Sequence, residues 1–561
     1  MKQERPAITG LRAALIAALL AAAVALPSIR NDLAQDDRWI VTGRPVLQHP
    51  ASLRALLTEP YWPRSFHGGL WRPAVLASYA LDYRFSSSPH WFHAVNVAWA
   101  ALAAFVLTLL AIAVAGPGVG LAAGALFAVH PVHVEAAAGV VGRAELMAAA
   151  AAGAALLCVL RARDDRRWLA GIVIATAVAV GAKEQGALLP LAVLLVLAAR
   201  GDRWRDMVLP TAAALIPVLL YVTARSVVAG GVLAAGGLAP GLEGLTLAQR
   251  AWAMLALSLE WWRLALLPLH LSAEYSPGDV TVSTGLSPRH LVALTLWLGT
   301  AWTAWRCRRS APAVTLGIAW AVLTLLPVAN LVPTEILVAE RTLFLPSWGA
   351  MVALAGAGAL LPWPRRAKNA AVAVLVILGA ARSIPRAGVW RNDETWYAAL
   401  QRDAPRSYRT LWMQGNDAFR AGQWGTGERL LREAMAVAPG IPGPLEDLAG
   451  FYGRAGLWAQ AAGMYRRAME LNETRPKPWT LLPSALLAAR DTAGAVEWAE
   501  QAATRFPTDA SVAGASLDAL LSAGRCDRAA ALLDARVAQL PAVFVEGVRV
   551  RLGSCAESSR R

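Results

Sequence analysis

Charge is scarce in this chain of 561 residues: 16% are Asp, Glu, Lys or Arg against 57% hydrophobic, and the mean hydropathy is +0.44. That balance excludes an ordinary soluble globular protein. Cysteine is scarcer still. Cys158, Cys307, Cys526 and Cys555 show no C-x-x-C or paired spacing, so neither a zinc site nor a disulfide framework is expected, and the redox compartment stays open. No HExxH metal motif occurs. After the first apolar run, AALIAALLAAAVALP, no A-x-A-like cleavage site is evident, so the run is read as a retained first span rather than a removed signal peptide. The net charge of +15 does not point to nucleic acid, because many arginines sit in short clusters between apolar runs, where topology already accounts for them.

What is present is a succession of apolar runs through the first two thirds of the chain, each near the length a helix needs to cross about 30 Å of hydrocarbon. With Lys2, Arg5 and Arg12 inside, the first helix exits near Pro27 and releases a polar segment, residues 29–93, to the outside. Further spans are predicted at 94–115, 117–130, 145–161, 168–182, 185–199, 207–225, 289–306, 311–328, 343–361 and 369–386. The inner loops RARDDRR, ARGDRWRD, RCRRS and PWPRRAKN then carry the arginines. Arg250, Glu260 and Arg263 interrupt the stretch 251–268, which is predicted to lie on or dip into the outer interface, its tryptophans at headgroup level. The expected fold class is all-α: a polytopic membrane helical bundle of about eleven crossings over 1–388, then a soluble α-superhelix outside over 389–561.

The carboxyl-terminal expectation rests on a period. Gly422 and Gly456 stand 34 residues apart and Gly524 twice that further on, with Pro439, Pro507 and Pro541 in the same register. Thirty-four is the tetratricopeptide (TPR) period, and FYGRAGLWAQAAGMYRRAMELNE shows the repeat best. About four repeats stack into a superhelix with a concave groove that usually receives peptide.

Four polar clusters converge on the predicted outer face: NDLAQDDRWIV, HPVHVEAAAGVVGRAEL, KEQG and NLVPTEILVAERTLFLPS. Charges at membrane depth are expensive, so each is a functional candidate. Asp36 and Asp37 are either a solvated helix exit or a carboxylate able to deprotonate a hydroxyl. His130, His133 and Glu135 pass a loose metal filter, but Pro131 argues against a regular helix, and no metal is expected. Arg143 and Glu145 form an exposed pair or brace a loop above a pocket. Lys183 and Arg341 either snorkel to the interface or bind a lipid-linked phosphate and stabilise it as it leaves.

The order of DD, SFHGGLWRPAVLASYALDY, PHWFHAVNVAWAALAAFVLTLL, FAVHPVHVEAAAGVVGRAEL, KEQG, LHLSAEYSP, ILVAERTLFLPS and TPR repeats resembles the transmembrane-and-tetratricopeptide-repeat O-mannosyltransferase family, which is similar to protein O-mannosyltransferases of the GT-C class. The resemblance spans nearly the whole chain. It implies a membrane-embedded glycosyltransferase that moves a sugar, mannose in the family, from a polyprenyl phosphate to a protein Ser or Thr hydroxyl on the non-cytoplasmic side, with inversion and with no cofactor. Asp36 or Asp37 would be the catalytic carboxylate, and His130, His133, Glu135, Arg143, Glu145, Lys183, Glu184, Glu340 and Arg341 would surround the donor phosphate and sugar. Two features depart from the family: the glycine-rich stretch VVAGGVLAAGGLAPGLEG, and a repeat array shorter than in animal members. The composition points to a high-GC bacterium, with the amino terminus cytoplasmic, the repeats periplasmic and an undecaprenyl-like carrier. The competing classes are a TPR scaffold or assembly factor for envelope proteins, for which one span would suffice, and a transporter, which would place charge near the midplane.

Overall fold

The computed structural model describes residues 4–63, 69–228 and 237–558. Residues 65–68 of SFHGGLW and residues 229–236 of the glycine-rich stretch lie outside these. The described residues are helical, with no strand and one isolated bridge between Tyr275 and Val338. They form two compact units: residues 1–275 with 280–405, and 276–279 with 406–561. The first unit thus runs on past residue 388 to include the helix Asp393–Asp403.

Among the described residues of the first unit six helices are long and apolar enough to cross a membrane: Gly10–Arg30, Pro89–Ala115, Val140–Ala162, Trp204–Val228, Glu340–Leu360 and Arg365–Trp390. A seventh is reached if the pair Pro117–Ala128 and Pro131–Ala138, bent by 54°, counts as one span. Three further expected crossings fall on shorter apolar helices, Trp168–Ala182, Glu184–Ala199 and Pro312–Val328, and the predicted span 289–306 is a helix, Pro288–Cys307, outside that group. The helix Val140–Ala162 is central, with 78% of its apolar window buried against 17% for Arg365–Trp390. Its alanines make that possible: Ala149, Ala152 and Ala155 are buried against Ala103, Ala104 and Leu107, small side chains that let helix backbones approach closely. The charges that interrupt 251–268 are matched. Glu260 pairs with Arg263 and, on the next helix, Arg289, both at 2.9 Å, and Arg250 donates to the Asn330 carbonyl.

The long first loop folds on itself rather than trailing. Its short helices Asp36–Ile40, Pro45–Gln48, Leu53–Leu57 and Pro73–Tyr83 enclose Ile40, Leu47, Leu56, Leu76 and Tyr79, and this core closes on Val140, Ala144 and Met147 of the central helix. Apolar burial, worth about 25 cal/mol per Å², thereby docks the loop onto the bundle.

The second unit contains four helix pairs: Tyr408–Arg420 with Trp424–Val437, Gly443–Arg454 with Trp458–Leu471, Pro476–Ala488 with Thr492–Arg505, and Ala510–Ser522 with Cys526–Arg536. A last helix, Ala542–Ser558, sets Val545 and Val548 against the fourth pair and covers its apolar face. Cys526 and Cys555 are disulfide-bonded, which corrects the expectation from their spacing: the last helix folds back over 29 residues of sequence, and no local pattern announces such a return. The turns within pairs explain the glycine period. Gly422, Gly456 and Gly524 all have φ near +70°, a left-handed conformation that costs glycine nothing. At the matching turn of the third pair stands Arg490, at φ 64°. A side chain there costs about 1–2 kcal/mol, so Arg490→Gly is expected to stabilise the second unit by about 1 kcal/mol, measured as a rise in the denaturant midpoint; an unchanged or lower midpoint contradicts this.

Candidate active site

The site begins with a turn. Residues 139–142, where the central helix begins, point two backbone N–H groups at Asp37, whose carboxylate accepts from Val140 at 3.1 Å, Val141 at 2.8 Å and, more weakly, Ala34. The turn's carbonyls are also taken: Asn96 donates to Gly139 and Val140, and the Tyr79 hydroxyl donates to Val140. Gly142 is required here because a Cβ would lie 2.2 Å from the Ala136 carbonyl oxygen. Asp37 is therefore a buried docking group. Asp36 beside it is only half-buried, and its charge acts on Tyr61 and Arg341. The preceding Gln35 is held at φ 52°, a strained conformation maintained by Asp393, which accepts from the Gln35 N–H at 2.7 Å and pairs with Arg38.

A charged cluster gathers from distant parts of the chain. Glu145, on the first turn of the central helix, pairs with Lys183 at the break after Trp168–Ala182. Arg341 pairs with Glu135, which also accepts from the Arg341 backbone N–H at 2.7 Å, and its Nε lies 4.0 Å from Glu145. Glu184 accepts a fork from Arg72, at 3.2 and 2.9 Å, while the Arg72 guanidinium lies 4.7 Å from the centre of the Tyr61 ring. Gly186 completes KEQG for a steric reason, since a Cβ there would meet the Val180 nitrogen at 2.4 Å. Glu145 is 3% exposed, whereas Arg341 is 29% and Glu184 27%, so the cluster opens on the Arg341 and Glu184 side.

Other predicted residues face elsewhere. Arg143 is fully buried and spends its donors on Asp82, on Asn96 at 2.7 Å and on the Phe92 carbonyl at 2.9 Å, so it braces the first loop instead of meeting a ligand. Glu340 turns away from its neighbour Arg341 to Arg386 at 2.9 Å, the Tyr275 hydroxyl at 2.7 Å and the Ser272 N–H at 2.9 Å. His130 meets the Ala265 carbonyl and His133 meets Ser347 at 2.7 Å, both beside a small cavity of about 30 Å³ lined by Phe127, Phe344 and alanines. Glu135 lies on the opposite side of that segment, toward Arg341. Among the described residues no three His, Cys, Asp or Glu side chains converge as metal ligands.

Burial pushes the Asp37 carboxyl up to about 7, against the pull of the N–H groups of Val141, Val140 and Ala34. The folded protein thus binds this proton more tightly than the unfolded chain. The associated stability is full below the unfolded carboxyl pKa and is lost as pH rises through about 7. Thermal unfolding of the detergent-solubilised protein is expected to move down between about pH 4 and about pH 7, and less so in Asp37→Asn; equal slopes in both proteins would refute the assignment.

No protein-family model matches the chain. Among curated proteins it is 23% identical over 411 residues to a protein O-mannosyl-transferase of Caenorhabditis elegans, covering 71% of this chain and 58% of that protein. It is 26% identical over 471 residues to mouse protein O-mannosyl-transferase TMTC4, covering 70% and 62%, and 35% identical over 150 residues to mouse TMTC1, covering 25% and 16%. The chain thus spans about three fifths of the longest-matched relatives and a sixth of the third. A solved structure of yeast Tom70 overlaps at a TM-score of 0.26 and 12% identity, covering 73% of this chain and 89% of that one, and it carries no argument. The curated relatives of this membrane-and-repeat chain are TMTC-family protein O-mannosyl-transferases, the group that the order of its motifs resembles.

Proposed function

We propose that this protein is an integral membrane glycosyltransferase that moves mannose from a polyprenyl phosphate to a Ser or Thr hydroxyl of a polypeptide on the non-cytoplasmic side. The observation that carries the reading is the convergence of Glu145, Lys183 and Arg341, drawn from three separate segments, into one partly open cluster on a membrane bundle, with the charge of Asp36 acting on Arg341. A scaffold that only anchors its repeats has no need of it.

Asp36 takes the acceptor's proton, and Asp37, its oxygens committed to the turn, positions it. The acceptor oxygen attacks the anomeric carbon from the face opposite the phosphate, so a single displacement inverts that centre. The phosphate leaves as an anion and needs compensating positive charge, for which Lys183 and Arg341, which share Glu145, are the candidates. Arg143 contributes by holding the loop that carries Asp36. The polyprenyl tail lies between helices, and the acceptor polypeptide is held in the repeat groove, a concavity of about 800 Å³ walled by residues such as Phe451, Arg454 and Lys477. Two features support the repeats' placement outside: arginine-rich loops on the opposite side of the predicted topology, and the Cys526–Cys555 disulfide, a bond that a reducing cytosol disfavours. In a bacterium the membrane is the inner one and the outer compartment the periplasm.

Purified protein incubated with polyprenyl-phosphate mannose and an extracytoplasmic protein extract is expected to transfer label to protein. Asp36→Asn is expected to lower kcat by at least about 100-fold, the lower range for loss of a general base, with donor KM little changed. Full activity in Asp36→Asn removes the proposed base.

A further inference from the structure

Arg72 stands apart from the other two cations of the cluster. Lys183 and Arg341 flank the ends of apolar helices and pair with carboxylates that are 3% and 8% exposed, whereas Arg72 comes from the first loop and pairs with Glu184, which is 27% exposed. Its backbone is anchored on both sides: its own carbonyl accepts from the Val75 and Leu76 N–H groups of the following helix, and the preceding residues are held as well. Trp71 stacks on Tyr221 at 5.0 Å and accepts from the Tyr221 hydroxyl at 2.6 Å through its carbonyl, and Arg225 donates to the Gly69 carbonyl. Only the side chain is left to pivot, one face of its guanidinium on Tyr61. The two parallel N–H donors that grip Glu184 match a pair of phosphate oxygens equally well. Glu184, the partner of Arg72, directly follows Lys183, the partner of Glu145, so Arg72 reaches the same cluster.

The reaction supplies a reason for a cation that changes partners. The bond from the anomeric carbon to a phosphate oxygen breaks and its electron pair stays on that oxygen; the acceptor oxygen bonds the carbon, and its proton passes to Asp36. A diester with one negative charge becomes a monoester carrying roughly 1.5 to 2 at neutral pH. A pocket of permanently free cations would hold this product more tightly than the donor and turn over slowly. We propose, on the reading above, that Arg72 leaves Glu184 for the departing phosphate as its charge grows, and that Glu184 takes Arg72 back to release the polyprenyl monophosphate.

The test uses the full-length protein, steady-state transfer from polyprenyl-phosphate mannose, and direct binding of a short-chain polyprenyl monophosphate. Arg72→Gln is expected to lower kcat by about 100-fold, as for loss of one charge-stabilising donor, and to weaken monophosphate binding at least tenfold. Glu184→Gln is expected to act in the opposite direction, binding the monophosphate about tenfold more tightly and slowing turnover after a normal first round. Arg72→Lys, which keeps the charge without the fork, is expected to bind within a few-fold of wild type while kcat falls. If Arg72 and Glu184 were merely structural partners, both Gln variants would break the same pair and shift binding the same way; that outcome overturns the proposal, as does unaltered binding in Arg72→Gln. Wild-type protein that neither transfers the sugar nor binds the monophosphate overturns the glycosyltransferase reading itself, whereas active wild type with indifferent variants overturns only the exchange.

Discussion

Everything in the first unit's charged cluster hangs on one buried carboxylate meeting one turn. Asp37 accepts the N–H groups of Val140 and Val141, and this contact fixes where the first loop enters the bundle. Such a turn would otherwise bury unsatisfied donors, each costing about 1–3 kcal/mol. The contact joins the segment that carries Asp36 to the turn that leads to Glu145. Asn96, Tyr79 and Arg143 secure the same turn from its other sides, so the loop is registered to the membrane helices with little freedom.

Around that fixed point the charges nearly balance. Lys183, Arg341 and Arg72 are answered by Glu145, Glu135 and Glu184, and Asp36 stands nearby. An unanswered charge at this depth is prohibitive, and breaking a buried pair by removing one member costs about 3–5 kcal/mol. The pairing therefore lets the fold tolerate three cations in one place. It also grades the carboxylates by exposure, from Glu145 at the closed end to Glu184 at the open one, where Arg341 is exposed as well.

Periodicity and composition made most of the architecture legible, and orientation within a motif was what they withheld. The glycines at 34-residue spacing marked the helix-pair turns because a left-handed turn prefers a residue without Cβ; the third turn escaped notice because Arg490 occupies it. Neighbouring residues of one motif point to opposite sides. Arg341 faces Glu135 and Glu340 faces Arg386, just as Asp37 is buried against the turn while Asp36 is half-buried. The two histidines of HPVH face an apolar cavity, as Pro131 and the short turn after it allow. Arg72 carried no periodic signal. Its traces were its place in the SFHGGLWRPAVLASYALDY motif and its position between tryptophan and a helix-starting proline. The disulfide left none, because a fold-back of the last helix joins its two cysteines.

Glu135 and Arg341 are separated by 206 positions along the chain, and the helices between them must all be in place before the two can meet. During synthesis, then, the early half of the cluster emerges from the ribosome well ahead of its last cation. A nascent chain holds Glu135 in waiting while the later helices form, and any chaperone or translocase that shelters this unfinished state must shield that acid.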